Sequence, residues 1–187
     1  MGASDFAKLP HIGESFLRKE DYRFLTGAGQ YTDDIDLANM SHAVFVRSPH
    51  AHAKIKSIDK KAAFAAPGVI GILDGQDVVD AKINGLPCGW LITDTDGQPM
   101  KEPPHPILAH DKVRYVGDHV VMVVAETLEE AKNAAELVTV EYDVLSAVVD
   151  VRDASSAAVL HDAAPNNHCY KWAIGDKAQV DAAFANA

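Results

Sequence analysis

The sequence predicts an α+β fold: a mixed sheet, a few short helices, a long irregular loop and a C-terminal arm. Three observations carry this. Residues 113–143 read as strand, capped helix, strand. Two segments, 42–47 and 53–58, are strands by residue type, and a short helix follows the second. Residues 80–110 are broken throughout by Gly and Pro, so neither a helical nor a strand period survives there.

The elements follow in order. His42–Arg47 is a strand by its Val and Phe content, and Ser48-Pro49 ends it. Ala53–Ile58 is a second strand, with Ile55 and Ile58 toward its apolar side. Asp59 is placed to accept from the first N–H groups of a helix over 60–65, which Pro67-Gly68 stops. Val69–Leu73 is a buried strand that ends in a turn at Asp74-Gly75. Within the 80–110 loop, Leu86, Trp90, Leu91 and Ile92 are apolar enough to dock on something. Structureless loops of this length in compact domains usually serve function or an interface.

The clearest unit comes next. Val120–Ala125 is β-branched and almost wholly apolar, as a strand covered on both faces would be. Thr127-Leu-Glu-Glu130 is a capping box, and Leu128, Ala131, Ala134, Ala135 and Val138 line one face of the helix it opens. Val138–Asp143 then alternates as a strand. If the two strands are parallel neighbours, the crossover is right-handed and an α/β sandwich also fits. Beyond Val151 the pattern weakens into an arm that leaves the domain, with a short helix over 177–186. That helix stops without a cap, which suggests a chain cut from a longer polypeptide or one half of a split one. The expected division is an ordered, extended N-terminal segment over 1–35, the domain over 36–150, and the arm over 151–187.

Composition excludes several functions. A chain of 187 residues can bury roughly 70% of its unfolded surface, so its core needs no disulfide or metal. The net charge of −10 speaks against nucleic acid, because phosphate binding needs a concentrated positive face. Lys54, Lys56, Lys60 and Lys61 form the only basic cluster, read as a solvated rim. Cys88 and Cys169 belong to no paired motif, which argues against a disulfide framework or an iron–sulfur cluster. Met1–Pro10 has no signal-length apolar stretch, Phe6 stands where a myristoylation motif needs Ser or Thr, and no run spans a membrane. The expected location is the cytoplasm.

No catalytic constellation emerges. His50-Ala-His52 sets two imidazoles on one side of an extended chain, and His105 and His110 sit in the long loop. A catalytic zinc site needs three ligands with supporting groups, so surface or turn histidines are the better account. Gly27-Ala-Gly29 opens like a dinucleotide fingerprint, but Thr32 takes the third glycine position and no strand precedes it. Asp33, Asp34 and Asp36 lack the spaced ligands of a calcium loop.

The run from His11 to Ile35, charged at its start and punctuated by Gly27 and Gly29, reads as an ordered polar loop. It resembles the opening of the molybdenum-containing subunit of the xanthine dehydrogenase, aldehyde oxidase and carbon monoxide dehydrogenase family. The likeness continues through Phe45-Val-Arg-Ser-Pro-His-Ala-His-Ala53, Ile55–Asp59, Pro67-Gly-Val69, Leu108-Ala109, Val113–Asp118, Val123–Glu126 and Val140–Asp143. Its flavour is closest to carbon monoxide dehydrogenase large chains. The likeness implies an α/β hammerhead domain that starts the molybdopterin-binding subunit. Where relatives often carry Glu-Pro, this chain has Asp118-His119.

The resemblance implies hydroxylation with water as oxygen source, the cofactor carrying the hard step. No catalytic, cofactor-binding or metal residue of the family maps onto residues 1–187, so no cofactor is expected in this chain alone. Molybdopterin would sit in the complete subunit, with 2Fe–2S clusters and FAD on partner subunits. The expected role is structural: packing against the remainder of the molybdopterin subunit and the iron–sulfur and flavin components. Candidate interface residues are Arg18, Asp21, Arg23, Phe24, Gly27, Gly29, Tyr31, Leu86, Trp90 and Trp172. The alternatives are a free-standing interaction or assembly module of the same fold, and, more remotely, an independent enzyme using the His-rich loops.

Overall fold

The computed structural model describes residues 13, 15 and 17–186, which fall into two compact units, 1–40 and 41–187. The readings placed on Met1–Pro10 and on positions 11, 12, 14 and 16 lie outside the described residues.

In the first unit the extended run gains local structure. Asp21–Leu25 forms a single helical turn, α1, and Thr32–Asp34 a 3-10 turn. Acidic Asp21 at the start of α1 and Arg23 in its last turn both suit the helix dipole. Gly27 leaves α1 at φ +72°, a conformation that costs any side-chain-bearing residue energy. The turn at 32–34 is held by the Asp34 carboxylate, which accepts from the Tyr31 N–H at 2.8 Å.

The second unit is α+β, as expected. Its strands are β1 (His42–Arg47), β2 (Ala53–Asp59), β3 (Val69–Asp74), β4 (Lys112–Val113), β5 (His119–Ala125) and β6 (Thr139–Val144). Its helices are α2 (Lys61–Phe64), α3 (Gly75–Asp80), α4 (Leu128–Glu136) and α5 (Lys177–Ala185). The expected mixed sheet proves to be two three-stranded sheets, ordered β1-β5-β3 and β4-β2-β6, and every pairing is antiparallel. The helix-linked strands therefore do not share a sheet. Both sides of β5 are taken by β1 and β3, so α4 delivers β6 to the free side of β2.

Burial explains why β5 is central. Val120, Val121, Val123 and Ala125 are all fully buried, which fits a strand covered on both faces. α4 packs across β1, β5 and β3, presenting Ala131 and Ala134 where only small side chains fit. Its capping box forms as read: the Thr127 hydroxyl accepts from the Glu130 N–H, and the Glu130 carboxylate accepts from the Thr127 N–H. β3 departs from its reading as a buried strand, for only Ile72 is buried while Ile70 and Leu73 are exposed.

The turn expected at Asp74-Gly75 is instead the start of α3. Asp74 accepts from the N–H groups of Gln76 and Asp77, and Asp77 accepts from the Asp74 N–H at 2.8 Å. This is a capping box with Asp in the third helical position, a shorter side chain than the usual Glu. The sequence places Lys60 in a solvated rim, yet its ammonium group sits 2.6 Å from Asp74 and 3.0 Å from Asp77. It ties α3 back to the start of α2.

Candidate interface site

The residues singled out in the first unit form one knot. The Phe24 ring stacks on Tyr31 with centroids 5.5 Å apart, and the Arg23 guanidinium lies 5.0 Å from the Phe24 centroid. Gly29 makes this possible, because a Cβ there would collide with the Phe24 ring. The chain is bent to this shape by Ala28 N–H donating to the Arg23 carbonyl at 2.8 Å. Arg18 is exposed and its carbonyl accepts from the Asp21 N–H. Polar and aromatic groups thus meet on an exposed segment.

In the second unit, the irregular stretch after α3 is an ordered hairpin. Leu86 N–H donates to the His105 carbonyl at 2.8 Å, Met100 N–H to Ile92 at 2.9 Å and Asp94 N–H to Gln98 at 2.7 Å. Gly97, at φ +80°, turns the tip. Gly85 has no room for a side chain, since a Cβ would strike the His105 backbone. The sequence showed only broken periods here because the pairing is sparse and Pro residues remove donors.

The arm does not leave the second unit. Residues 169–171 run beside the hairpin: Lys101 N–H donates to the Cys169 carbonyl, Thr95 N–H to the Lys171 carbonyl, and Lys171 N–H to the Asp94 carboxylate, each at 2.9 Å. Further back, Asn167 gathers the arm: its side chain bonds Leu160, Ala154 and Ala158, and Ala164 is buried. Hairpin and arm therefore form one ribbon, and it carries several exposed large apolar side chains. Trp90 is 74% exposed, Leu86 59% and Trp172 53%, and Leu91 and Ile174 are exposed as well. Hydrogen bonds fasten the loop and the arm together, and Leu91 and Ile174 add to the exposed apolar side chains Leu86, Trp90 and Trp172.

His50 and His52 do not converge. His52 is buried, its Nδ1 2.7 Å from the Ser146 carbonyl, whereas His50 meets the Tyr142 ring edge-on at 5.0 Å. A bend at residues 51–52 breaks the extended chain that would have set them side by side. Among the described residues no three His, Cys, Asp or Glu side chains are grouped to hold a metal ion. No helix among the described residues is long and apolar enough to cross a membrane.

The family model for the aldehyde oxidase and xanthine dehydrogenase a/b hammerhead domain matches residues 26–146. This chain belongs to that family. The hammerhead chain is 38% identical to the carbon monoxide dehydrogenase large chain of Hydrogenophaga pseudoflava, over 90% of its own length and 21% of the relative's. It is 38% identical to the nicotine 6-hydroxylase large subunit of Paenarthrobacter nicotinovorans, over 94% and 21%. Among solved structures, a Cu,Mo-CO dehydrogenase matches with a TM-score of 0.73 and 35% identity, covering 96% of the hammerhead chain and 23% of that chain. Quinoline 2-oxidoreductase from Pseudomonas putida 86 matches at 0.64 and 42%, covering 76% and 17%. The chain thus spans about a fifth of the length of these relatives.

Proposed function

We propose that this chain is the N-terminal structural portion of a molybdenum hydroxylase large subunit, packing against the portion that holds the molybdenum cofactor and inactive by itself. The ribbon supports the reading best. Its Trp90, Trp172, Leu86, Leu91 and Ile174 are exposed, and backbone hydrogen bonds order the hairpin and the arm that carry them. A preformed apolar surface of this kind loses little entropy on docking. The aromatic knot at Phe24, Tyr31 and Arg23 is a second contact of the same sort. Relatives named as large chains and large subunits, of which this chain matches about a fifth, fit the same role.

In the assembly, molybdopterin belongs to the remainder of the large subunit, and 2Fe–2S clusters and FAD to companion subunits or domains. The whole functions in the cytoplasm. When bound, the cofactor supplies the activated oxygen and the electron sink. This chain contributes shape and contact surface.

The test is co-expression with a separately encoded cofactor-binding portion, followed by co-purification. The pair is expected to co-elute with molybdenum, and Trp90→Asp with Trp172→Asp should weaken the complex by about thirtyfold or more. Stoichiometric molybdenum and hydroxylase turnover from this chain alone would refute the structural role. Failure to bind the cofactor portion, with stable binding to an unrelated protein, would favour a free-standing module.

A further inference from the structure

Three places in this chain set a carboxylate or an amide side chain directly before a glycine: Asp74-Gly75, Asn84-Gly85 and Asp96-Gly97. The pairing matters chemically. A backbone nitrogen can attack the γ-carbon of the side chain that precedes it, and glycine, lacking a Cβ, hinders that approach least. Asn is the better electrophile, because an ionised carboxylate repels a nucleophile and an amide does not.

The structure separates the three. The Asp74 carboxylate accepts from the Gln76 and Asp77 N–H groups and lies 2.6 Å from the Lys60 ammonium, and Gly75 is buried. At the hairpin tip the Gly97 N–H donates to the Asp94 carbonyl at 3.0 Å, which occupies the nitrogen that would have to attack. Asn84 and Gly85 differ from both pairs. They are exposed, and among the described residues no hydrogen bond holds the Asn84 amide or the Gly85 N–H. They lie between two fixed points: Ile83 N–H donates to the Val78 carbonyl at 3.1 Å, and Leu86 N–H donates to the His105 carbonyl at 2.8 Å, opening the hairpin. Gly85 also sits where a Cβ would strike the His105 backbone, so this seat accepts glycine.

We propose that Asn84 is a self-modification site: the Gly85 nitrogen attacks the Asn84 Cγ, and the ageing chain acquires an isoaspartyl linkage at the base of the hairpin. The Gly85 N–H gives its proton to solvent, the N–Cγ bond forms, the Cγ–Nδ2 bond breaks and ammonia leaves. Residues 84 and 85 then share a cyclic imide, which water opens. Attack at Cγ breaks the new bond and leaves ordinary aspartate. Attack at the Asn84 backbone carbonyl carbon breaks the original peptide bond and leaves the chain running through Cγ, with a free α-carboxylate. Either route consumes water and releases ammonia, and nothing is oxidised or reduced.

The two products act differently on the hairpin. Aspartate adds a negative charge alone. The isoaspartyl product adds the charge and also inserts a methylene into the main chain between the Ile83 and Leu86 anchors. Gly85 has no spare room against His105, so the lengthened chain must give up either that contact or the Leu86 bond. The reaction uses only groups of this chain and water.

Ageing the full 187-residue chain in neutral and in mildly alkaline buffer tests this, read by peptide mass spectrometry that distinguishes aspartyl from isoaspartyl products. Conversion at Asn84 should run at least about tenfold faster than at Asn39, Asn133, Asn166, Asn167 or Asn186, a barrier lower by about 1.4 kcal/mol. It should also speed up with hydroxide. Asn84→Gln, whose longer side chain would have to close a larger ring, should abolish the product and keep the hairpin. In the isoaspartyl fraction the Leu86 amide should exchange at least about fivefold faster than in fresh protein, while Asn84→Asp keeps its protection and β5 is unchanged in both. Conversion at Asn84 no faster than at the other asparagines, isoaspartate appearing first at Asp74 or Asp96, or an isoaspartyl fraction with a fully protected Leu86 amide would each overturn the proposal.

Discussion

The backbone N–H of Lys171 donates to the Asp94 carboxylate at 2.9 Å, and the Lys171 carbonyl accepts from the Thr95 N–H at the same distance. Residues 77 positions apart are thereby locked in register, and the arm becomes a third edge of the hairpin. Trp172 directly follows this junction, and Trp90 lies four residues before Asp94.

Removing the junction should therefore loosen the ribbon without unfolding the domain. In Asp94→Ala, the amides of Thr95 and Lys171 are expected to exchange at least about fivefold faster, with β5 unaffected. The Lys171 N–H, ahead of the Thr95 and Asp96 amides, holds the Asp94 carboxyl below its ordinary range. The carboxylate therefore contributes above about pH 3.8, and its contribution disappears as pH falls through the depressed folded value. Unchanged exchange at Lys171 would mean that the arm is held elsewhere.

Gly27 and Gly29 are predicted to fail differently when replaced. Gly27→Ala meets open space and pays only the left-handed backbone, about 1 kcal/mol confined to the first unit. Gly29→Ala drives a methyl group into the Phe24 ring, so the Phe24–Tyr31 stack must open. Ring-proton shifts of Tyr31 report this: large changes are expected for Gly29→Ala and small ones for Gly27→Ala. The reverse order would show that the stack is not what requires Gly29.

Lys60 bridges the α2 entrance to the cap of α3, where Asp74 also serves the first turn. Replacing it by Met leaves Asp74 and Asp77 facing each other without a cation, at an expected cost of about 1 kcal/mol by urea unfolding. Although burial opposes it, the hydrogen bonds to Asp74 and Asp77 leave the Lys60 pKa raised. The Asp74 N–H, then Lys60, lowers that of Asp77. The lysine contribution persists up to about pH 10.5 and is lost above it; the Asp77 contribution holds above about pH 3.8 and is lost below it. A stability profile of Lys60→Met that parallels wild type outside this window and falls below it inside is the expected result.

How much was legible depended on whether the signal was local. The β5–α4–β6 run announced itself because a continuous apolar strand, a Thr–Glu capping box and an alternating strand each act over a few residues. Its sheet membership was not legible, since that depends on β1 and β3 filling both sides of β5 from distant positions. α3 was hidden by Asp at the third helical position and by Asp74-Gly75, a pair that more often marks a turn. Within the candidate site, the individual aromatic residues stood out, but the bonds joining residues 94–101 to 169–171 are backbone contacts that leave no mark on composition. His52 read as a surface group because its burial depends on the chain at Ser146 passing over it.

The helix face that covers the first sheet gives the sharpest packing prediction. Ala131 and Ala134 are fully buried where α4 crosses β1, β5 and β3, so a methyl group fills the space that the backbone separation allows. Ala134→Leu adds three carbons at that contact and must push α4 off the sheet or force strained rotamers, at about 1–3 kcal/mol. Asn133, one position earlier, is exposed, and Asn133→Leu makes the same helix slightly better by intrinsic propensity, within about 0.5 kcal/mol of wild type. Urea midpoints at unchanged slope distinguish the two. A midpoint for Ala134→Leu as high as that for Asn133→Leu would mean that α4 rides the sheet loosely, and the close approach of its alanine face to β5 would have to be given up.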